Sequence, residues 1–152
     1  MSYEKKLKEM GIVIPEPVKP LASYIPAVQA GDMVYTSGQI PMKDGKLLYT
    51  GKVGKEVTPE QANEAAKLCA INCLSAIKGV IGDLDKIDKV FKVVGFVNSA
   101  AGFNAQPKVI NGASDFLGEV FGDAGKHARS AVGVSDLPID APVEVEVIVK
   151  LK

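Results

Sequence analysis

Apolar residues recur along this chain with two different periods, and the switches between those periods predict the order of its elements. Val143, Val145, Val147 and Val149 alternate with Glu144, Glu146, Ile148 and Lys150, the period-two pattern of a strand with one buried face. Ala62, Ala66, Cys69, Cys73, Ile77 and Val80 instead fall three and four residues apart, as one stripe of a helix. Thr58-Pro59-Glu60-Gln61 opens that helix with an N-cap, a proline at the first helical position and a glutamine three residues after the cap, and Gly82 closes it. Pro107 opens a second helix lined by Val109, Ala113, Phe116, Leu117, Val120 and Phe121, and Gly122 to Gly125 stop it. Between the helices, Lys89 to Asn98 is rich in valine and phenylalanine and reads as a buried strand. Two strands, about 128–134 and 143–151, finish the chain.

Before the first long helix, Tyr24 and Val28 lead through the turn Gly31-Asp32 into the strand formers of Met33 to Pro41, a hairpin. The extended run begins at Leu21. Lys43-Asp44-Gly45-Lys46 is a second turn before a short strand around Leu47 to Tyr49. Residues 2–10 read as a short helix, and the prolines at 15, 17 and 20 end it, so residues 1–20 read as an N-terminal appendage. Strands, helix, strand, helix and two strands, without repeat or linker, predict an α+β sandwich of one sheet and two helices over a single domain, residues 1–152.

Composition narrows the function classes. Eighteen basic and eighteen acidic side chains give a formal net charge of zero, so the chain lacks the general attraction of a nucleic-acid or anionic-membrane binder, and neither partner is expected. The charged N-terminus has no apolar signal-peptide core, which points to a cytoplasmic protein. Cys69 and Cys73, four apart on a helix, run parallel rather than converging as a disulfide requires, and read as reduced packing residues. With one histidine and no Cys/His cluster, no metal site is expected.

The chain uses seventeen lysines and a single arginine, Arg129. That exception suggests a site needing a planar, permanently charged fork, the shape that suits carboxylates and phosphates; the other reading is a structural ion pair. If Val132 and Val134 pack among the valines of the last strand, parity puts Arg129 on the face of Glu144 and Glu146, because a one-residue slip exchanges faces. Ala131 and Gly133 then leave room there for a ligand. The same pattern also fits an exposed sheet face with an Arg–Glu pair worth a few tenths to about 1 kcal/mol. Ser37 has no histidine positioned by sequence to activate it and reads as a hydrogen-bonding residue. The lysines at 86, 89 and 92 read as solvated, Glu146 as a structural partner, and His127, in or beside a loop, has no fixed role.

Three segments in this order and spacing, Tyr35-Thr36-Ser37-Gly38-Gln39-Ile40-Pro41, Ala128-Arg129-Ser130-Ala131-Val132 with Leu137-Pro138, and Val143-Glu144-Val145-Glu146, resemble the reactive intermediate deaminase family, RidA or YjgF. The resemblance covers about residues 20–152. It implies a chorismate-mutase-like α+β fold, a mostly antiparallel sheet with two helices on one face, assembled as a homotrimer with clefts between subunits. The activity it implies is hydrolysis of enamine and imine intermediates, of the 2-aminoacrylate and 2-iminobutanoate type, to 2-keto acids and ammonia, without a cofactor. By the same resemblance Arg129 holds the substrate carboxylate, Glu144 positions water, Gly38 lies against the substrate beside Ser37, and Tyr24 lines the cleft from the facing subunit. Asn111 and Ala131 complete the substrate-binding set, although the family often has cysteine at the position of Ala131 and the loop before Asn111 is longer here. A noncatalytic keto-acid binder and, from an older label of the family, a ribonuclease or translation inhibitor are the alternatives.

Overall fold

The computed structural model describes residues 2–17, 19 and 23–152. The start of the predicted extended run at Leu21 and the appendage's boundary at Pro20 lie outside the described residues. In chain order the elements are α1 (Tyr3–Glu9), β1 (Ala27–Ala30), β2 (Met33–Thr36), β3 (Met42–Lys43), β4 (Lys46–Leu47), α2 (Pro59–Ile81), β5 (Ile87–Asn98), α3 (Gln106–Phe121), β6 (Ala128–Val134) and β7 (Val143–Leu151). Five strands form one sheet in the order β1-β2-β7-β5-β6, and β3 pairs with β4 in a separate hairpin. All neighbours in the large sheet are antiparallel except β5 and β6, which α3 joins in parallel.

The predicted helix start is present atom for atom. Thr58 Oγ accepts from the Gln61 amide while Gln61 Oε1 accepts from the Thr58 amide, closing the capping box that begins α2. The stripe of α2 is buried from Ala62 to Ile77, whereas Val80, read as its last member, is 39% exposed. Every residue predicted to line the second helix is buried. Both helices cover the face of the sheet that carries Val143, Val145, Val147 and Val149 together with Val90, Val93 and Val97. Burying each of these valines contributes about 1.5–3 kcal/mol, so this interface is the main source of stability.

The cysteines belong to the same interface. Cys69 Sγ donates to the Val143 carbonyl at 3.7 Å and Cys73 Sγ to the Val145 carbonyl at 3.3 Å, which seats α2 low on β7. Burial raises both thiols, Cys73 to about 12, so they stay protonated and unreactive.

The described part of the N-terminal segment is fastened to the rest of the domain by long-range contacts. Asp85 Oδ1 accepts from the Tyr3 amide at 2.5 Å and the Glu4 amide at 3.2 Å, capping α1 from across the fold. Leu7 is buried, the Tyr3 and Phe121 rings lie 4.5 Å apart, and Glu4 pairs with Lys78 at 3.0 Å. Ser75 Oγ then ties the outgoing strand down by donating to the Pro15 carbonyl at 2.6 Å. A seven-residue helix is too short to persist alone, and these contacts supply what propensity does not.

Strand parity is where the structure departs from expectation. The sequence reading paired the 128–134 strand with the last strand, but β5 lies between them. In the parallel β5–β6 register Val93 stands beside Arg129, Gly95 beside Ala131 and Val97 beside Gly133, so these three β6 residues take the helix-covered face. Ser130, Val132 and Val134 face the other way, where Val132 is 44% exposed. Arg129 therefore does not share a face with Glu144 and Glu146. The room expected above Ala131 and Gly133 is also filled: Ala131 packs against the core, and a Cβ on Gly133 would come within 2.9 Å of Gln106 Nε2 and of Ser99 Oγ.

A candidate site in two halves

The first half is built on the sheet edge. Arg129 rises from β6 under α3, which presents Asn111 and Ser114 at three-residue spacing on the side facing it. Arg129 Nη1 donates to Asn111 Oδ1 at 2.8 Å and to Ser114 Oγ at 3.2 Å. Ser114 Oγ lies 2.9 Å from His127 Nε2, and His127 Nδ1 lies 2.6 Å from the Gly125 carbonyl. Both of the arginine's protein partners are neutral. No ion pair to Arg129 occurs among the described residues, so the structural ion pair considered for the lone arginine is not made there. A half-buried guanidinium whose charge is met only by dipoles retains an unspent attraction for an anion.

The second half forms on the uncovered face, where β2 leaves β7. Tyr35 pairs with Ile148, and the next bridge is Gln39 with Val145, so four steps on one side oppose three on the other. The extra residue makes a bulge. Thr36 turns its hydroxyl inward to accept from the Val147 amide at 3.0 Å, filling the place of the missing ladder bond, and the chain arches through Ser37 so that Gly38 passes over Glu144. A Cβ on Gly38 would lie 2.8 Å from Glu144 Cδ, so glycine is the residue that admits the carboxyl group there. Ser37 Oγ donates to the Ile25 carbonyl at 2.7 Å, which ties the arch to the segment carrying Tyr24. Tyr24, 67% exposed, lines an open hollow of about 400 Å³ with Ser23, Ile25, Val28, Tyr35 and Ser37.

Burial raises the Glu144 pKa, and the like charge of Glu146 raises it further. Its carboxylate has no hydrogen-bond donor among the described residues that would reverse this shift. Glu144 is thus a carboxylate disposed to take up a proton.

The structure brings Arg129 together with Asn111 and Glu144 together with Gly38, with Ser37 preceding Gly38 in the same arch, but it keeps the two groups apart. Glu144 stands beside Phe96 and Arg129 beside Val93. From strand spacing and rise their Cα atoms are about 14 Å apart, with side chains on opposite faces. Ala131 shares the face of Arg129. Sequence reasoning missed Ser114 and left His127 without a role, although Asn111 and Ser114 interrupt the apolar pattern of the helix at the spacing that puts two polar groups on one side. Among the described residues no helix is long and apolar enough to cross a membrane, and no three His, Cys, Asp or Glu side chains converge as a metal site.

Residues 4–151 match the family model described as "YjgF/chorismate_mutase-like, putative endoribonuclease". The chain is 40% identical over 146 residues to Protein TCP17 of Trypanosoma cruzi, covering 95% of this chain and 91% of that one. It is 33% identical over 135 residues to a 2-iminobutanoate/2-iminopropanoate deaminase of Dermatophagoides farinae, covering 88% of this chain and 90% of the relative. A crystal structure of an Agrobacterium tumefaciens protein of unknown function superposes with a TM-score of 0.92 at 44% identity, over 99% of this chain and 92% of that one.

Proposed function

Since the chain belongs to the YjgF/RidA family, with its chorismate-mutase-like fold, we propose that it hydrolyses reactive enamine and imine intermediates of the 2-aminoacrylate and 2-iminobutanoate type to 2-keto acids and ammonia. The observation that carries this reading is the pair of unspent groups: a lone arginine met only by neutral partners, and a half-buried carboxylate with a raised pKa.

The chemistry asks for little more. A protonated imine is already electrophilic, so orientation and one proton acceptor suffice. Arg129 grips the substrate carboxylate, each charged hydrogen bond contributing about 1.5–3 kcal/mol. Water bonds to the imine carbon as Glu144 takes its proton, giving a carbinolamine. That proton then returns to nitrogen, the carbon–nitrogen bond breaks, and the carbinol hydroxyl becomes the ketone by passing its own proton through Glu144 to the departing ammonia, which leaves as ammonium. A positioned base of this kind commonly accelerates reaction by about 10²–10⁴. In this reading Gly38 and Ser37 offer their arch to the substrate, Tyr24 lines the cleft, Asn111 braces Arg129, and Ala131 lies beside it.

Two half-sites on opposite faces complete each other only across a subunit boundary. The reading therefore includes a homotrimer in which the Arg129 half of one subunit meets the Tyr24–Gly38–Glu144 half of the next. Val28, Tyr35, Phe91 and Val132, each 42% exposed or more, give the large sheet's unlayered surfaces an apolar character suited to such contact.

The test is an imine-hydrolysis assay, with the intermediate supplied by a dehydratase, on the native chain, Arg129→Ala, Glu144→Gln and the two variants co-expressed. Both variants alone are expected to be nearly inactive. In mixed trimers roughly one cleft in four draws its intact halves from different parents, so about a quarter of native activity returns. A mixture as dead as its parents removes the shared cleft. Saturable 2-ketobutyrate binding without any acceleration makes the protein a carboxylate binder instead, and RNA cleavage lost in Arg129→Ala favours the endoribonuclease in the family's description.

A further inference from the structure

Arg129 is held by a relay whose direction the atoms determine. The Gly125 carbonyl can only accept, so His127 Nδ1, 2.6 Å away, carries a hydrogen. In the neutral ring Nε2 then has a lone pair, and Ser114 Oγ, 2.9 Å away, must be the donor. With its own hydrogen committed to the imidazole, Ser114 turns a lone pair to Arg129 Nη1 at 3.2 Å. The amide oxygen of Asn111, at 2.8 Å, takes the second Nη1 hydrogen.

An arginine has five N–H donors, two of them on Nη1. Both are consumed by the protein. The donors on Nε and Nη2 have no partner among the described residues, and none of them is a buried atom left unsatisfied. The Nε hydrogen and the Nη2 hydrogen parallel to it lie in one plane along one edge of the guanidinium, the arrangement that grips a carboxylate with two parallel bonds.

We propose that His127 and Ser114 are positioning residues that lock Arg129 by Nη1 and so present its Nε/Nη2 edge, side-on, to the substrate carboxylate. This rests on the reading of Arg129 as a carboxylate clamp. The relay selects a planar two-oxygen anion over a single-oxygen ligand such as an alcohol or amide, because only the carboxylate fills both donors of that edge. Ser114 is not a nucleophile in this arrangement despite its histidine: the arginine's hydrogen bond draws on the electron density an attack would need.

His127 is the only histidine in the chain, so its side-chain nitrogens give an unambiguous NMR signature. Nitrogen-15 spectra of the full-length protein are expected to show the Nδ1–H tautomer, with the Nε2 resonance moving when 2-ketobutyrate is added. Ser114→Ala should return the ring toward a mixture of tautomers and weaken 2-ketobutyrate binding about five- to tenfold at an unchanged unfolding temperature, and Ser114→Thr, which keeps the hydroxyl, should restore it. 2-Ketobutyramide should bind poorly to the native chain and be indifferent to Ser114→Ala. If 2-ketobutyrate binds, Arg129→Lys abolishes that binding and Ser114→Ala leaves it unchanged, the clamp stands and the relay is overturned. If 2-ketobutyrate does not bind the native chain, the clamp itself fails. In either case an Nε2–H tautomer, or a ring signal indifferent to Ser114→Ala, overturns the relay by itself.

Discussion

The two half-sites are held by opposite means. Arg129 is fixed by hydrogen bonds, its Nη1 shared between two side chains of α3 with an imidazole behind one of them. Glu144 is fixed by shape alone, a carboxyl group lodged beneath Gly38 with a second carboxylate, Glu146, two residues away on the same face. The cation keeps its charge whatever surrounds it, and a rigid mount aims it. In the proposed hydrolysis the carboxylate exchanges a proton, and an environment that disfavours its charge makes it a better proton acceptor. On that proposal one half serves geometry and the other pKa.

That contrast can be broken most sharply at Glu144. Glu144→Gln is expected to lower kcat by about 10²–10⁴ while leaving the affinity for 2-ketobutyrate nearly native, and a large loss of affinity would show that both halves bind rather than one binding and one reacting. Arg129→Lys should do the reverse in equilibrium binding, weakening 2-ketobutyrate by tenfold or more by calorimetry with the fold intact, since an ammonium replaces a fork. Gly38→Ala places a methyl group 2.8 Å from Glu144 Cδ and must push the carboxyl aside. A misplacement of that size costs on the order of 10² in kcat, and unchanged turnover would remove shape as what holds Glu144.

Smaller changes sharpen the comparison. The Glu144 pKa is raised first by burial and then by Glu146. A base works ionised, so activity falls as pH falls through that raised pKa. Glu146→Gln removes the like charge, lowers the pKa and should move the acid limb of the kcat profile to lower pH, whereas a limb that stays or moves up would unseat Glu144 as the titrating base. Asp85→Ala loosens the clasp on α1, far from both halves. It should destabilise by about 1–2 kcal/mol, a Tm drop of roughly 2–8 °C, with kcat and affinity unmoved.

The legible parts of the molecule were those in which neighbours along the chain decide the outcome. Thr58 to Gln61 start a helix through bonds made within four residues, and the valines of β7 declare a buried face without reference to any partner strand. Arg129 stood out as the one exception among eighteen cations, and the structure leaves its charge unpaired by acid among the described residues. Val80 misled because Ile77 can be followed at either three or four residues, and the buried stripe of α2 continues through Ile81 instead. The N-terminal helix was legible as a helix but its anchor was not, since Asp85, which joins the Ser2 cap in accepting its first amides, is 82 residues from Tyr3 in sequence.

What the sequence by itself determined, then, is the set of elements, their order, and their buried faces in the long helices and in β7. Tertiary structure alone decided how Arg129 and Glu144 are disposed. A strand's side-chain period is two whichever neighbour it has, so the pattern Arg129-Ser130-Ala131-Val132 fits either orientation until the partner is known. Placing β5 between β6 and β7 turned Arg129 toward α3, gave it Asn111, Ser114 and His127, and put Glu144 on the other face. Pairing is a long-range choice settled by the packing of the whole sheet, and it is what divided one expected pocket into two halves.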